Sequence, residues 1–205
     1  MSVENEKTLN VYEAMIAESI AYSNSFQAAP ELIKWLDASL EGLAFQARIL
    51  EIGSSSGRDA TYIRARGYKV TCSDALSGFV DHLKQQGHDA LQLNLLTDPI
   101  AQIYDLIIAA AVLVHFTRAE TEDALTKIFN ALSDQGRLSL TLKIGIGEEW
   151  AAKNRRDMPP RYFSYWQEDD IRLILAQVGF RKIYIEHSLT PVHPDAWLFI
   201  RAIKD

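Results

Sequence analysis

Cysteine is almost missing from this chain. One occurs in 205 residues, Cys72, and it sits inside an apolar stretch. No disulfide can form within the chain, and a structural zinc site lacks its usual ligands. His187 and His193 stand far from any carboxylate–cysteine cluster, so no metal site is expected. No basic run occurs either: 21 Lys and Arg face 27 Asp and Glu, a net charge of −6. Binding nucleic acid by phosphate neutralisation needs a basic stripe, so no nucleic-acid partner is expected. No apolar run approaches the roughly 20 residues that span a bilayer. The first residues, Met1 to Lys7, lack the charged-then-apolar pattern of a secretory signal. The expectation is a cytoplasmic protein without a membrane partner.

What is present suits a packed core. Apolar residues make up 48% of the chain, and the length fits one domain over residues 1–205. Leu9, Tyr12, Ile16 and Ile20 recur at helical spacing and predict one helix over 7–28. Pro30 opens a second helix that ends at Gly42. Strands and helices then alternate: strand 48–53, helix 58–66, strand 69–74, helix 76–86, strand 89–94. Strand 104–110 is apolar throughout, as a central strand buried on both faces should be. Helix 118–132 and strand 137–144 follow. Residues 145–166 read as a long irregular stretch holding Trp150 and the run Arg161–Trp166. Helix 167–178 precedes strands 180–189 and 196–203. Their six-residue connection, 190–195, is too short for a crossover helix, so these two must be antiparallel.

The most informative segment is 48–74. An apolar strand, Ile49 to Ile52, enters a loop of Gly53, three serines and Gly57, and a helix pattern follows. The next strand ends at Asp74, 21 residues after Gly53. Small residues between strand and helix let a ligand lie against backbone N–H groups. An acid at the tip of the next strand can accept from both ribose hydroxyls. The pair describes a nucleoside-containing cofactor at the carboxyl edge of a parallel sheet. A dinucleotide fingerprint needs G-x-G-x-x-G, and its second and third glycines would fall on Ser55 and Arg58. The pattern here is E-x-G-x-x-x-G, Glu51 to Gly57.

That pattern resembles the first motif of the class I S-adenosylmethionine (SAM) methyltransferases, D/E-x-G-x-G-x-G, with Ser55 in place of the middle glycine. Gly57-Arg58-Asp59, with Leu113-Val114-His115-Phe116 after the fourth strand, resembles a subset of small bacterial enzymes acting on small molecules. The resemblance covers residues 45–205. It implies a Rossmann-like α/β fold: a seven-stranded, mostly parallel sheet in the order 3-2-1-4-5-7-6, the last strand antiparallel, with helices on both faces. Residues 1–42 would form a helical cap. It implies SAM as cofactor, S-adenosylhomocysteine as product and a small-molecule methyl acceptor as partner.

Several residues follow as candidates. The resemblance assigns the cofactor loop to Glu51, Gly53, Ser55 and Gly57. Arg58 opposes the helix dipole at a helix start and calls for an anionic partner, the SAM carboxylate or an acid. Asp74 suits the ribose, or else caps the following helix. Asn94 occupies the family's adenine-contacting position, where its oxygen can accept a hydrogen bond; it also suits a turn. Leu95 would pack on the adenine. Ala109 and Ala110 close the strand whose carbonyls receive the methionine ammonium in the family. Tyr22 would close over the cofactor, whereas Tyr12 suits core packing. His115 is the candidate catalytic base, or a structural histidine bonded to loop backbone. Lys143, Trp150, Tyr162, Phe163, Tyr165 and Trp166 are candidates for the acceptor wall, with Arg161 or Lys143 steering an anionic group; the aromatics equally suit packing of the last helix. Two rival readings stand beside the transferase: a SAM- or nucleoside-binding protein without transfer, prompted by Ser55, and a nucleotide-dependent oxidoreductase, disfavoured by glycine spacing and the terminal hairpin.

Overall fold

In the computed structural model, residues 1–25, 28–152, 158–188 and 196–205 are described. The elements run α1 (Val3–Ala14), α2 (Ile16–Asn24), α3 (Pro30–Leu40), β1 (Ile49–Ile52), α4 (Arg58–Ala65), β2 (Val70–Asp74), α5 (Ser77–Gln85), β3 (Asp89–Gln92), β4 (Tyr104–Ala109), a 3₁₀ turn (Leu113–His115), α6 (Arg118–Asn130), β5 (Leu132–Ile144), β6 (Glu148–Ala151), β7 (Arg161–Trp166), α7 (Glu168–Val178), β8 (Phe180–His187) and β9 (Trp197–Lys204). The class is α/β as expected. Strands β3, β2, β1, β4 and β5 lie side by side and parallel. β9 then runs antiparallel between β5 and β8. Those seven strands keep the expected sequence of neighbours, but the order differs from the expected one where β7 and β6 join β5.

Alternation along the strands divides the core. Leu50 and Ile52 of β1, with Ile107 and Ala109 of β4, face a cluster shared with Leu125 of α6 and Leu175 of α7. Their neighbours Ile49, Leu106 and Ile108 face the opposite cluster, which holds Leu36 of α3, Ile63 of α4 and Leu83 of α5. A period of two on a sheet covered on both faces produces this division. Trp35 is buried against the second cluster, and its indole N–H donates to the Ile200 carbonyl at 3.1 Å.

Two expectations are corrected. The helix drawn over 7–28 is two helices, because Met15 leaves helical geometry at φ −128° and ψ 29°. The bend lets Tyr12 of α1 and Ser19 and Tyr22 of α2 reach the same cavity. Apolar spacing alone could not show it, since Ile16 and Ile20 continue the period across the break.

The second correction concerns 145–166, read as irregular. It contains β6 and β7, an antiparallel pair, so the sheet has nine strands among the described residues. β9 lines one edge of β5 through Lys143. β4 occupies the other edge only as far as Leu140, opposite Ala109. β7 fills the remainder of that edge, pairing Tyr165 with Lys143 and Trp166 with Ile144. The end of β4 thus leaves backbone groups on β5 that a further strand satisfies. The 190–195 connection and His193 lie outside the described residues.

Candidate active site

A cavity of about 630 Å³ opens at the carboxyl ends of the parallel strands. Its first half is built where β1 meets α4. Gly53 follows β1 at φ +67°, and Ser55 adopts φ 49° although it carries a side chain. The Ser55 N–H donates to Asp74 Oδ2 at 3.1 Å, and the Leu76 N–H donates to Asp74 Oδ1 at 3.1 Å. Asp74 is buried and lines the cavity. Burial raises its pKa to about 6, against the pull of the Leu76, Ser55 and Ala75 N–H groups. Asp74 does not cap α5: the residue before that helix is Leu76, no side chain caps it, and Asp74 holds the Leu76 N–H rather than one within the helix. A carboxylate with four lone-pair sites keeps capacity toward the cavity.

Glu51 projects from the same strand and lines the same half. Burial and the neighbouring Asp59 charge raise its pKa to about 8, offset by the Ser54 hydroxyl and Arg58. Among the described residues, its buried Oε2 has no hydrogen-bond partner. An orphaned acceptor in a cavity wall is a place for a cationic or N–H group. The anionic partner expected for Arg58 is Asp59, whose Oδ1 accepts from Arg58 Nε at 2.7 Å.

Asn94 and Leu95 line the cavity below Asp74. The Asn94 oxygen already accepts from the Leu96 N–H at 3.0 Å, so it shapes the turn as well. Ala109 is fully buried in the core; the residues that line the cavity after β4 are Ala110, Ala111 and Val112. Gly57 caps α4 at φ +77°, and a Cβ there would point to Leu83 and His88, away from the cavity. Tyr22 lies at the rim, partly exposed.

The other half is aromatic and cationic. Lys143, Arg161, Phe163, Trp197 and Phe199 line it with Tyr12 and His115. Lys143 and Arg161 are both buried, with Lys143 Nζ 4.4 Å and the Arg161 guanidinium carbon 5.2 Å from the Phe163 ring centre. The His115 ring lies 4.8 Å from the Phe163 ring. His115 Nδ1 is 2.7 Å from the Tyr162 carbonyl oxygen and Nε2 is 3.1 Å from the Tyr12 hydroxyl. Burial pushes the His115 pKa down to about 3, reinforced by the Arg161 and Lys143 charges and opposed by the Tyr162 carbonyl.

Four residues expected in the acceptor wall, Trp150, Tyr162, Tyr165 and the fully buried Trp166, do not line the cavity. Tyr162 points to the opposite face of β7 from Arg161 and Phe163, as strand alternation requires. Trp150 is 43% exposed and meets Tyr162 edge-on at 5.9 Å. Tyr165 is buried, and its hydroxyl donates to Glu149 Oε1 at 2.8 Å. Phe163, expected there as well, does line the cavity, together with Tyr12, Trp197 and Phe199. A period of two over 161–166 would have separated Phe163 from Tyr162, had that stretch been read as a strand.

Residues 50–138 match the family model described as a methyltransferase domain. A search of curated proteins finds no match. Among solved structures, 1,6-didemethyltoxoflavin-N1-methyltransferase of Burkholderia thailandensis, with S-adenosylhomocysteine bound, superposes with a TM-score of 0.74 at 15% identity, covering 100% of this chain and 91% of that one. Magnesium protoporphyrin IX methyltransferase of Synechocystis, with SAM bound, gives 0.64 at 16% identity, covering 100% and 86%. A TehB-like SAM-dependent methyltransferase of Corynebacterium glutamicum gives 0.63 at 21% identity, covering 98% of each chain. The fold is the one these proteins share.

Proposed function

We infer that this chain, with its methyltransferase domain over residues 50–138, is a class I SAM-dependent methyltransferase acting on a small molecule. One observation carries the reading. The loop after β1 and the Asp74 carboxylate at the tip of β2 are tied together and face one cavity, whose far half is walled by aromatic rings. When bound, SAM supplies a methyl group already activated as a sulfonium, leaving S-adenosylhomocysteine as product. The protein's work is therefore to bind, align and exclude water.

The residues fit that cofactor. The orphaned, buried Oε2 of Glu51 suits an ammonium group, acting directly or through water. Asp74 would take the ribose hydroxyls, with Gly53 and Ser55 supplying the loop that lies against the ligand. Asn94 and Leu95 would border the base, and Tyr22 the rim. Arg58, already paired with Asp59, also lines the cavity and would meet a carboxylate there. Ala110 and Ala111, rather than Ala109, would offer backbone to the methionine portion. Gly57 shapes the helix start. Residues 1–42 would act as a cap over a core at 45–205, all within one domain.

The acceptor would occupy the half lined by Tyr12, Phe163, Trp197 and Phe199, where flat rings stack well. Lys143 and Arg161 would favour an electron-rich group there. His115 is neutral, and Tyr12 occupies its Nε2, so we assign it to holding Tyr12 rather than to removing a proton. Among the described residues no helix is long and apolar enough to cross a membrane, in keeping with the cytoplasmic location we propose.

Isothermal titration with SAM, S-adenosylhomocysteine and NAD tests the cofactor. SAM and its product should bind and NAD should not; the reverse pattern would restore the oxidoreductase reading. Transfer of labelled methyl to a metabolite extract separates a transferase from a protein that only binds SAM.

A further inference from the structure

Four groups form a continuous hydrogen-bonded chain in the cavity wall: the Tyr162 carbonyl, the His115 ring, the Tyr12 hydroxyl and the Arg161 guanidinium. Its polarity follows from its ends. A carbonyl has no proton to give, so His115 Nδ1 carries the hydrogen and donates to Tyr162. A neutral imidazole has only one N–H, so Nε2 is an acceptor, and the Tyr12 hydroxyl donates to it. At the other end Arg161 Nη1, which can only donate, lies 2.8 Å from the Tyr12 oxygen. Tyr12 has therefore committed its proton to His115 and one lone pair to Arg161. What remains is a single lone pair, on a residue that lines the cavity.

The frame around this hydroxyl is fixed from two sides. The Tyr162 N–H donates to Thr8 Oγ1 of α1 at 3.1 Å, while its carbonyl holds His115. Asn5 Nδ2, also on α1, donates to the His115 carbonyl at 3.4 Å. The helix carrying Tyr12 and the ring that orients its hydroxyl are thus locked to the same strand.

We propose that Tyr12 Oη selects and orients the methyl acceptor as a hydrogen-bond acceptor, and that the molecule taken is a flat aromatic or heteroaromatic bearing a hydroxyl or ring N–H. The proposal rests on the transferase reading above and adds the chemical class of the acceptor. A ligand that offers only lone pairs at this point meets another lone pair. One that offers an O–H or N–H completes the Tyr12 oxygen, while Phe163, Trp197 and Phe199 provide surfaces for its ring. Tyr12 is then a substrate-contacting residue, and His115 a positioning residue that keeps the hydroxyl proton out of the cavity.

The test uses indole and benzofuran, which share a shape and differ in one N–H. Wild type should bind indole about two- to tenfold more tightly, the worth of one neutral hydrogen bond, as read by ligand-observed NMR. Tyr12→Phe should bind the two equally and keep its SAM dissociation constant within about threefold, since the sub-sites are separate. Equal binding by wild type, including no binding of either, overturns the proposal, as does a preference that survives Tyr12→Phe. In ¹⁵N-histidine spectra, His115 should appear as the Nδ1–H tautomer, with its Nε2 signal moved by Tyr12→Phe; an Nε2–H tautomer also overturns it. Loss of SAM binding by wild type would instead sink the transferase reading.

Discussion

The backbone N–H of Ser55 donates to Asp74 Oδ2 at 3.1 Å, across 19 residues of chain. One carboxylate thus closes the loop after β1 onto the tip of β2, and its other oxygen holds Leu76. The acid proposed for the ribose is also the clasp of the loop after β1.

Replacing it should therefore cost affinity twice over. Asp74→Ala is expected to weaken SAM binding by about 1.5–3 kcal/mol, the worth of hydrogen bonds to a charged group. Asp74→Asn, which keeps one acceptor oxygen for the loop, should lose less. Titration calorimetry on folded variants measures both; an unchanged constant in the alanine variant would remove Asp74 from the site.

The two glycines of the loop should fail differently. A Cβ at Gly53 would come 2.5 Å from Val112 Cγ2 in the cavity wall, whereas one at Gly57 would come 2.8 Å from Leu83 Cδ2 in the core. Both sit at positive φ, which costs an L-residue about 1–2 kcal/mol. Gly57→Ala should lower stability by at least that much in urea melts and leave SAM affinity of the folded protein nearly intact. Gly53→Ala should impair SAM binding as well. Equal binding losses in both would place Gly57 against the ligand after all.

Tyr165 packs in the core, so its removal is a folding defect. Tyr165→Ala should destabilise by about 3–5 kcal/mol, as for other large aromatic deletions. Trp150→Ala, at an exposed ring, should change stability by less than about 1 kcal/mol. A normal melt for Tyr165→Ala with a raised acceptor Michaelis constant would return this ring to the acceptor wall.

Stability should depend on pH through Glu51. Its pKa is about 8 in the fold against an ordinary 4.5, so the folded chain keeps a proton that the unfolded chain releases. Stability then falls as pH rises through that window, by at most about 1.4 kcal/mol per unit for one group. Asp74, raised to about 6, has the same sign but is spent above that value. His115, lowered from 6.5 to about 3, acts oppositely and only below 6.5, where the unfolded chain gains a proton first. Between pH 6.5 and 8 the Glu51 effect stands nearly alone. Urea titrations there should show wild type losing stability relative to Glu51→Gln; parallel curves would mean that Glu51 ionises normally.

The sequence by itself determined the β1–loop–α4–β2 unit and the acids at Glu51 and Asp74. These depend on local spacing: a period of two, a small-residue turn, a helical period, and a residue at a strand tip. The short connection before β9 likewise forced an antiparallel pair. Tertiary structure alone decided the aromatic half of the cavity. Arg161–Ser164 is strand because it pairs with β6, and Tyr165 and Trp166 because β4 ends at Ala109 and leaves an edge of β5 open; no local pattern records where a neighbouring strand stops. Once β7 sits there, alternation turns Phe163 and Arg161 inward and Tyr162 away. The docking of α1 on β7 and the 3₁₀ turn brings Tyr12 to His115, 103 residues distant in the chain. A histidine's role depends on what meets its two nitrogens, and here both partners arrive by chain folding rather than by sequence neighbourhood.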